Sequence, residues 1–517
     1  MTEPKGPPAS VTLMRLLAEQ YWPSCTPGEL PFVVRFNSPC IMIPLRGQGG
    51  SLRAKLAADY YRATGKAATN NSLADVIGVA EGMAQGQVSP EPCLRVARRD
   101  RTAYLDLGRP EGEIVVIRPG SWELSRRVPV LFRRSGLGRE LPLPAEHGHQ
   151  GVDAVRDLIN IPASGEWAAL VACRIASLLY PQTTHPLELF TANTSGSLKT
   201  STARVVKDWI DPGLFIPVPK DGRSWAATAG NVYVAVLDNM SGFDNWFSDA
   251  LARGTSGEDH ADRALYTDSE AVGHHISIVP LITGIGLVPM RADLAERTMR
   301  HELRRPAAYL GDDEVKVIWQ REHPRALAWL LDQAAAVAAL HAYEKVERPR
   351  TGRLAVFEWT LAALDALWYG TSYGAGMRWW KAAHRSAAQD SVSADPLATA
   401  IQTVITEPFE GTAAELLGKV SSTLYQQSAD LWSPQKAGLR LPRAVDALTK
   451  LGWTMERGEP GHAGQRKWVI APPGWRAWKD GETWKFEPPS AQPVSAGIYQ
   501  QATGQLPPAG RDAGQPG

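Results

Sequence analysis

Residues 190–211, FTANTSGSLKTSTARVVKDWID, combine a short glycine–serine turn, a lysine, a run of hydroxyls and a helical pattern. That set suits the binding of a phosphate chain. Such binding needs a buried strand, a turn whose backbone N–H groups point inward, and a helix whose N-terminus faces the anion. A lysine at the end of the turn reaches the β and γ phosphates, and the next hydroxyl ligates Mg2+. Here PLELF (186–190) supplies the strand, Gly196 and Ser197 the turn, Lys199 the cation and Thr200 the hydroxyl. Asn193, Ser195, Leu198 and Ser201 complete the loop that would surround ATP.

The spacing departs from G-x-x-x-x-G-K-[ST] at its two glycines, which are Asn193 and Leu198 here. Asn is the non-glycine residue that best tolerates positive φ. A branched leucine beside the phosphates crowds the loop. Taken alone, the segment also reads as a polar loop capping an amphipathic helix. Its surroundings favour the phosphate reading. The strand NVYVAVL ends at Asp238, where a carboxylate at a strand's C-terminal edge can organise Mg2+ together with Thr200. A second buried strand ends at Thr283, a polar residue able to touch the γ-phosphate or attacking water. Arg291 and Arg297 follow, placed to offer a cation to a neighbouring subunit's nucleotide. Each residue alone has a plainer reading, as a helix cap, a turn residue or a solvated charge; the ordered set is what carries weight.

The elements that must position these groups follow from pattern. From residue 151 to about 345, helices alternate with short apolar strands: PLELF, NVYVAVLD and HHISIVPLIT are strands, whereas EWAALVACRIASLLY, TSTARVVKDWI, DNWFSDALAR, RADLAERTMR and PRALAWLLDQAAAVAALHAYEKV are helices. That alternation predicts a mainly parallel sheet covered on both faces. Upstream, LRVARRD, TAYLDLG, EIVVIRPG and PVLFRR read as short strands after a helical stretch over 51–85. Downstream, the chain is mostly helical to about 425, then a helix leads into the hairpin WTMERGEPGHAGQRKWVIAP, the outline of a winged helix. The expected domains are 1–148 (mixed α+β), 149–345 (nucleotide-binding α/β), 346–475 (helical and winged-helix) and 476–517, a largely disordered Pro/Gly-rich tail. Within that tail, GWRAWKDGETWKF reads as a β-hairpin.

Composition narrows the class. With 55 Lys+Arg against 54 Asp+Glu in 517 residues, net charge implies no partner, so any nucleic-acid site is a local patch. The clusters RVARRDR (95–101) and RHELRR (300–305) default to solvated surface. The four cysteines lack metal-ligand spacing, and adjacent His274 and His275 in a strand point to opposite faces, so no zinc site is expected. No apolar run is long enough to span a bilayer and the start lacks a signal-like stretch, so the expectation is a cytoplasmic protein without a membrane partner.

Residues from about 90 to 470 resemble a family of ATP-binding proteins of phages and mobile elements related to the superfamily 3 primase–helicases of the AAA+ class. The resemblance lies in YLDLG (104–108), PVLFRR (129–134), HPLEL (185–189), GSLKTSTAR (196–204), IDP (210–212) and VLDNMS (236–241). It continues through RALYTDSE (263–270), RADLAER (291–297) and EGTAAELL (410–417). It implies an AAA+-type P-loop core, nucleotide contacts at Gly196, Ser197, Lys199 and Thr200, and Mg2+ organisation by Thr200 and Asp238. It further implies a sensor at Thr283, an arginine finger among Arg291 and Arg297, and a family segment at Arg263 and Tyr266. Such proteins assemble as rings and move along single-stranded DNA, so DNA and further copies of the chain are the implied partners.

Two departures shape the rival readings. The loop lacks the small residue that family members place before the lysine, and Asn239 stands after Asp238 where many AAA+ enzymes have glutamate. Asn239 can orient water but cannot take a proton at neutral pH. The leading reading is an ATPase that couples ATP hydrolysis to DNA binding or translocation. Its rivals are a degenerate P-loop protein acting as a non-hydrolysing DNA-binding or assembly scaffold, and an AAA+ regulator acting on a protein.

Overall fold

A computed structural model describes residues 7–488 apart from 48–49, 147–150, 162, 193–196, 264–270, 286–291, 305–309, 350–351, 428–431, 461–465 and 482. The chain divides into two compact units, 1–383 and 384–517. Among the described residues, no helix is long and apolar enough to cross a membrane.

The first unit begins with three helices, Ala9–Gln20, Leu52–Thr64 and Asn70–Ala84, packed on antiparallel strands Tyr21–Cys25, Pro31–Arg35 and Ser38–Pro44. Leu13, Leu17, Val33, Leu56 and Val76 form their shared core. A four-stranded antiparallel meander follows: Val96–Arg99, Thr102–Asp106, Ile114–Arg118 and Ser121–Ser125. Its central strands carry apolar residues at consecutive positions, Ala103–Leu105 and Ile114–Ile117, because both faces are covered. Leu105, Val115 and Ile117 join the main core, while Tyr104, Ile114 and Val116 pack with Ile41 and Phe132. The fourth strand differs from expectation. PVLFRR contributes only Phe132–Arg133, to the preceding sheet, and the meander closes with SWELS, largely exposed and therefore without an apolar signal.

The α/β core carries the elements that matter for chemistry. Helices α1 (Gly151–Ile159) and α2 (Ser164–Leu179) precede strand β1 (Leu187–Ala192) and helix α3 (Lys199–Asp208). Then come α4 (Gly222–Ala229), β2 (Val234–Met240), α5 (Asn245–Ser256), β3 (Val279–Ile285) and β4 (Thr298–Glu302). These four strands form a parallel sheet in the order β2–β3–β1–β4. Every residue of β1 is buried, as expected of a parallel strand covered on both faces. Helices α6 (Asp312–Ala342) and α7 (Ala355–Tyr369) share the same core, in which Trp167, Trp209 and Trp329 stack with ring centroids 5.9–6.4 Å apart.

Three elements differ from the sequence reading. In RADLAERTMR only Ala292–Ala295 is helical, and Thr298–Glu302 is the edge strand β4, laddered to β1. HHISIVPLIT is not one strand: Ala271–Ile276 pairs antiparallel with Glu258–Arg263 as a separate hairpin, and the buried strand starts afresh at Val279. Helix α6 begins at Asp312, not near Pro324, which it carries internally. An acidic first turn over Asp312–Glu314 favours that early start by complementing the helix dipole.

Helix α8 (Ala375–Ala394) contains the division between the units. The second unit runs α9 (Pro396–Val404), β5 (Phe409–Thr412), α10 (Ala413–Gln427), α11 (Pro434–Lys450), β6 (Thr454–Pro460) and β7 (Arg466–Ala471). Its three strands are antiparallel in the order β5–β7–β6. Leu397, Ile401, Leu416, Leu441, Trp468 and Ile470 fill the space between helices and sheet. Strands β8 (Arg476–Asp480) and β9 (Thr483–Glu487) form the hairpin read in GWRAWKDGETWKF. Residues 489–517 of the expected disordered tail lie outside the described residues.

Candidate phosphate-binding site

The C-terminal ends of β1, β2 and β3 bring together residues far apart in sequence. β1 ends at Ala192, and Ser197, just before α3, is buried. Leu198 then turns into α3 with φ 61° and ψ 23°, the left-handed conformation that glycine adopts without penalty. Leu198 is thus a backbone misfit as well as a bulky side chain, costing about 1–2 kcal/mol relative to a residue at ease there. Leu198→Gly is expected to raise the stability of this unit by about 1 kcal/mol, part of the relief being offset by the freer unfolded chain. Thermal denaturation checks this, and a lower midpoint would show that Leu198 contributes more by packing than it costs in strain.

Helix α3 opens on Lys199 with no side chain capping its first turn, which leaves the positive end of the helix dipole toward the loop. Lys199 donates from Nζ to the Ser197 hydroxyl at 3.2 Å, and no carboxylate pairs with it among the described residues. One residue on, Thr200 donates to both carboxylate oxygens of Asp238, at 3.0 and 3.2 Å. Thr283 donates to the same carboxylate at 2.5 Å and accepts the Asn239 backbone N–H at 2.8 Å.

The register of the sheet explains this convergence. Leu237 pairs with Ile282, but the ladder slips before Met240 pairs with Gly284, so Asp238 and Asn239 lie in an irregularity of β2 beside Thr283. Asn239 relieves that irregularity by taking φ 60°, a conformation asparagine tolerates better than glutamate. The absence of glutamate after Asp238 therefore has a backbone reason.

The Thr200–Asp238 pair also fits a metal. Two ligands at right angles on Mg2+, each ~2.05 Å away, stand about 2.9 Å apart. The 3.0 Å between Thr200 Oγ1 and Asp238 Oδ1 is close to that edge. Among the described residues no three His, Cys, Asp or Glu side chains cluster to hold a metal unaided. A Mg2+ here would take its remaining ligands from phosphate and water, its usual habit.

Of the other expected site residues, Asn193, Ser195, Gly196, Arg291 and Tyr266 lie outside the described residues, and the side chain of Arg263 is likewise not described. Ser201 is half-buried in the first turn of α3. Arg297 stands apart from the trio. Its guanidinium donates to the Ala252 carbonyl at 2.8 Å and to the hydroxyls of Thr255 and Ser256 at 3.2 and 2.9 Å, holding the C-terminal end of α5. At the far end of α3, a buried cluster escaped the sequence reading. Asp211 accepts from Arg95 Nε at 2.8 Å, from Lys207 Nζ at 3.2 Å and from the backbone N–H of Val234 at 2.9 Å. The available signal was the i, i+4 Lys207–Asp211 spacing at a helix end, with Asp211 inside IDP; neither residue has a pattern of its own. Asp211 is deeply buried, yet Lys207 and Arg95 hold its carboxyl down at about 2.

Residues 152–381 match the family described as Actinomycete integrative conjugative element replication protein. The match covers less than half of the chain, and contains Lys199, Thr200, Asp238 and Thr283 but neither the meander nor the second unit. No curated protein matches the chain. Among solved structures, the apo NrS-1 C terminal region aligns with 90% of this chain and 100% of its own at 10% identity and TM-score 0.40. SCCmec type IV Cch, described as an active helicase, aligns with 87% of this chain and 93% of its own at 11% identity and TM-score 0.44. A ligand-bound JCV helicase aligns with 42% of this chain and 72% of its own at 11% identity and TM-score 0.22.

Proposed function

We propose that the chain is a P-loop ATPase of the AAA+ superfamily 3 type, coupling ATP binding and hydrolysis to DNA binding or translocation in the replication of a mobile element. The observation that carries this reading is the meeting of Thr200, Asp238 and Thr283 beside Lys199, at the C-terminal edge of a parallel sheet and the N-terminus of α3. The match of residues 152–381 to a replication-protein family supports the biological setting.

In this reading Lys199 and the first-turn amides of α3 hold the triphosphate. Thr200 and Asp238 hold Mg2+, which neutralises charge between the phosphates. Thr283, on the strand between β1 and β2, fixes Asp238 and the Asn239 backbone at once, so it links loss of the γ-phosphate to the geometry of β2. Asn239 is exposed and orients the attacking water without accepting its proton. Because Arg297 already serves α5, Arg291 is the arginine assigned to a neighbouring subunit's nucleotide in a ring.

The second unit supplies the DNA contact. Its order of helix, strand, two helices and two strands supports the winged-helix reading, with α11 as the helix presented to a groove. Lys436 and Arg440 lie on α11 over the ring of Trp432, and Leu439 beside them is 81% exposed. The rival reading, a scaffold that binds ATP without turnover, draws on the strained Leu198 and on Asn239. Calorimetric titration with ATP and Mg2+ tests the site itself. The parent binds one ATP per chain and Lys199→Ala weakens binding at least about a hundredfold, the loss of a charged phosphate contact. Equal binding by both proteins would remove the phosphate site from β1–α3.

A further inference from the structure

At the opposite end of α3 and β2 from Lys199 and Asp238 lies a cavity of about 240 Å3. It opens between the meander, the chain over 133–140 and the start of β2. Ten residues of α3 put it about 15 Å from the candidate ATP site. Three motifs that the phosphate chemistry does not use, YLDLG, PVLFRR and IDP, meet in its walls through Asp106, Arg133, Arg134 and Asp211.

The walls hold more positive charge than the protein neutralises. Arg95 and Lys207 share Asp211. Arg134 grips Asp106 with two parallel hydrogen bonds, at 2.8 and 2.7 Å. Gly108, at φ 72°, makes room for this packing: a Cβ there would stand 2.9 Å from Arg95 Nη1. These pairs account for themselves as structural ties. Arg133 and Arg139 are left over. Among the described residues, half-buried Arg133 donates only to the side-chain oxygen of Asn231 at 3.1 Å and to the Gly230 carbonyl, and Arg139, which is exposed at the mouth, only to the carbonyls of Gly136 and Gly138 at 3.2 and 3.1 Å. Among the described residues no carboxylate lies within ion-pair distance of either, although Glu140 also lines the cavity. Glu91 acts on Arg133 only through space, and burial lowers the pKa of that guanidinium. A mostly buried guanidinium bonded to neutral acceptors alone is an unmatched charge, which is costly unless an anion joins it. Five lining cations face three lining carboxylates, so the excess of two equals the charge of a phosphate dianion.

We infer that this cavity is a second phosphate site, with Arg133 and Arg139 as its binding residues. The phosphate belongs either to a free phosphorylated ligand or to the backbone of a nucleic acid. Binding there would pull on the Arg95–Asp211–Lys207 cluster at one end of α3 while Lys199 and Thr200 stand at the other, so the site is placed to sense or bias the state of the ATP site.

The test is calorimetric titration of the full chain carrying Lys199→Ala with inorganic pyrophosphate, so that the first site contributes little. The result expected is residual binding that falls about tenfold or more when Arg139→Gln is added, the loss of a charge-assisted hydrogen bond. Arg133→Lys is the second variant; it keeps the charge, protects the fold, and should weaken binding by removing the planar fork. Displacement of pyrophosphate by a fifteen-residue oligothymidylate would identify the source as a nucleic-acid backbone, and no displacement would identify a free ligand. Absence of binding to Lys199→Ala, or binding unchanged by both arginine variants, overturns the inference. A failed ATP site would show instead in the parent titrated with ATP, so the two failures are distinguishable.

Discussion

Asp238→Asn is expected to lower ATP turnover about a hundred- to a thousandfold while leaving ATP binding within about tenfold of the parent. The substituted amide keeps an oxygen that can accept the hydroxyls of Thr200 and Thr283, so the junction of α3, β2 and β3 stays closed. What disappears is the negative charge that holds a divalent cation against the phosphates. Binding depends chiefly on Lys199 and the α3 amides, whereas turnover needs the metal in one place. Phosphate release measured over a range of Mg2+ concentrations separates the two. Loss of rate with partial recovery at high Mg2+ supports the role given to Asp238. An unchanged rate at every Mg2+ concentration would show that the carboxylate only ties Thr200 and Thr283 together.

The second large effect is on stability at mild acidity. His185, His323 and His341 are buried, and desolvation is the main reason each is held down at about 4 against an ordinary 6.5. His341 lies face to face with Trp359 at 3.6 Å, and His323 stacks on Trp319 at 4.2 Å, so neither has room for the water a cation would need. The unfolded chain takes up protons below about 6.5 that the folded chain refuses until about 4. The stability they contribute is therefore full above pH 6.5 and falls as pH drops through that window. At pH 5 each histidine costs about 2 kcal/mol, from ~1.4 kcal/mol per pH unit. Asp208 opposes them. Burial raises it to about 6, so its contribution improves as it becomes protonated below that pH, recovering about 1.4 kcal/mol by pH 5. The net expectation is a loss of about 4 kcal/mol between pH 7 and pH 5 in the first unit, which holds all four groups. Denaturant titrations at the two pH values measure it, and His341→Gln should remove about a third of the histidine share. Equal stability at both pH values would mean that the pockets admit the charged rings.

Much of the site could be read from the sequence because parallel strands covered on both faces are continuous apolar runs. NVYVAVL and PLELF, the latter interrupted only by Glu188, stand out for that reason, and a hydroxyl-rich helix start after PLELF and an acid after NVYVAVL are local signals. Thr283 is legible on the same grounds, although the apolar pattern places its strand's start at the histidine pair and the structure places it at Val279. Ladder partners decided what local pattern could not. Thr298–Glu302 carries helix-like spacing continuous with RADLAER, yet becomes a strand because the open edge of β1 needs a partner for its backbone groups. SWELS becomes a strand on the same terms, with no buried face to announce it. The positive φ at Leu198 and Asn239 is likewise set by the approach of α3 and β3 to the ends of their strands. The cavity with Arg133 and Arg139 was invisible because its walls come from three segments separated by long stretches of chain.

The most direct measurement is phosphate release from ATP with Mg2+, with and without single-stranded DNA, in the parent and in Lys199→Ala. The account predicts release that DNA stimulates and that Lys199→Ala abolishes. Release that persists in Lys199→Ala, or none from the parent with DNA present, would contradict it.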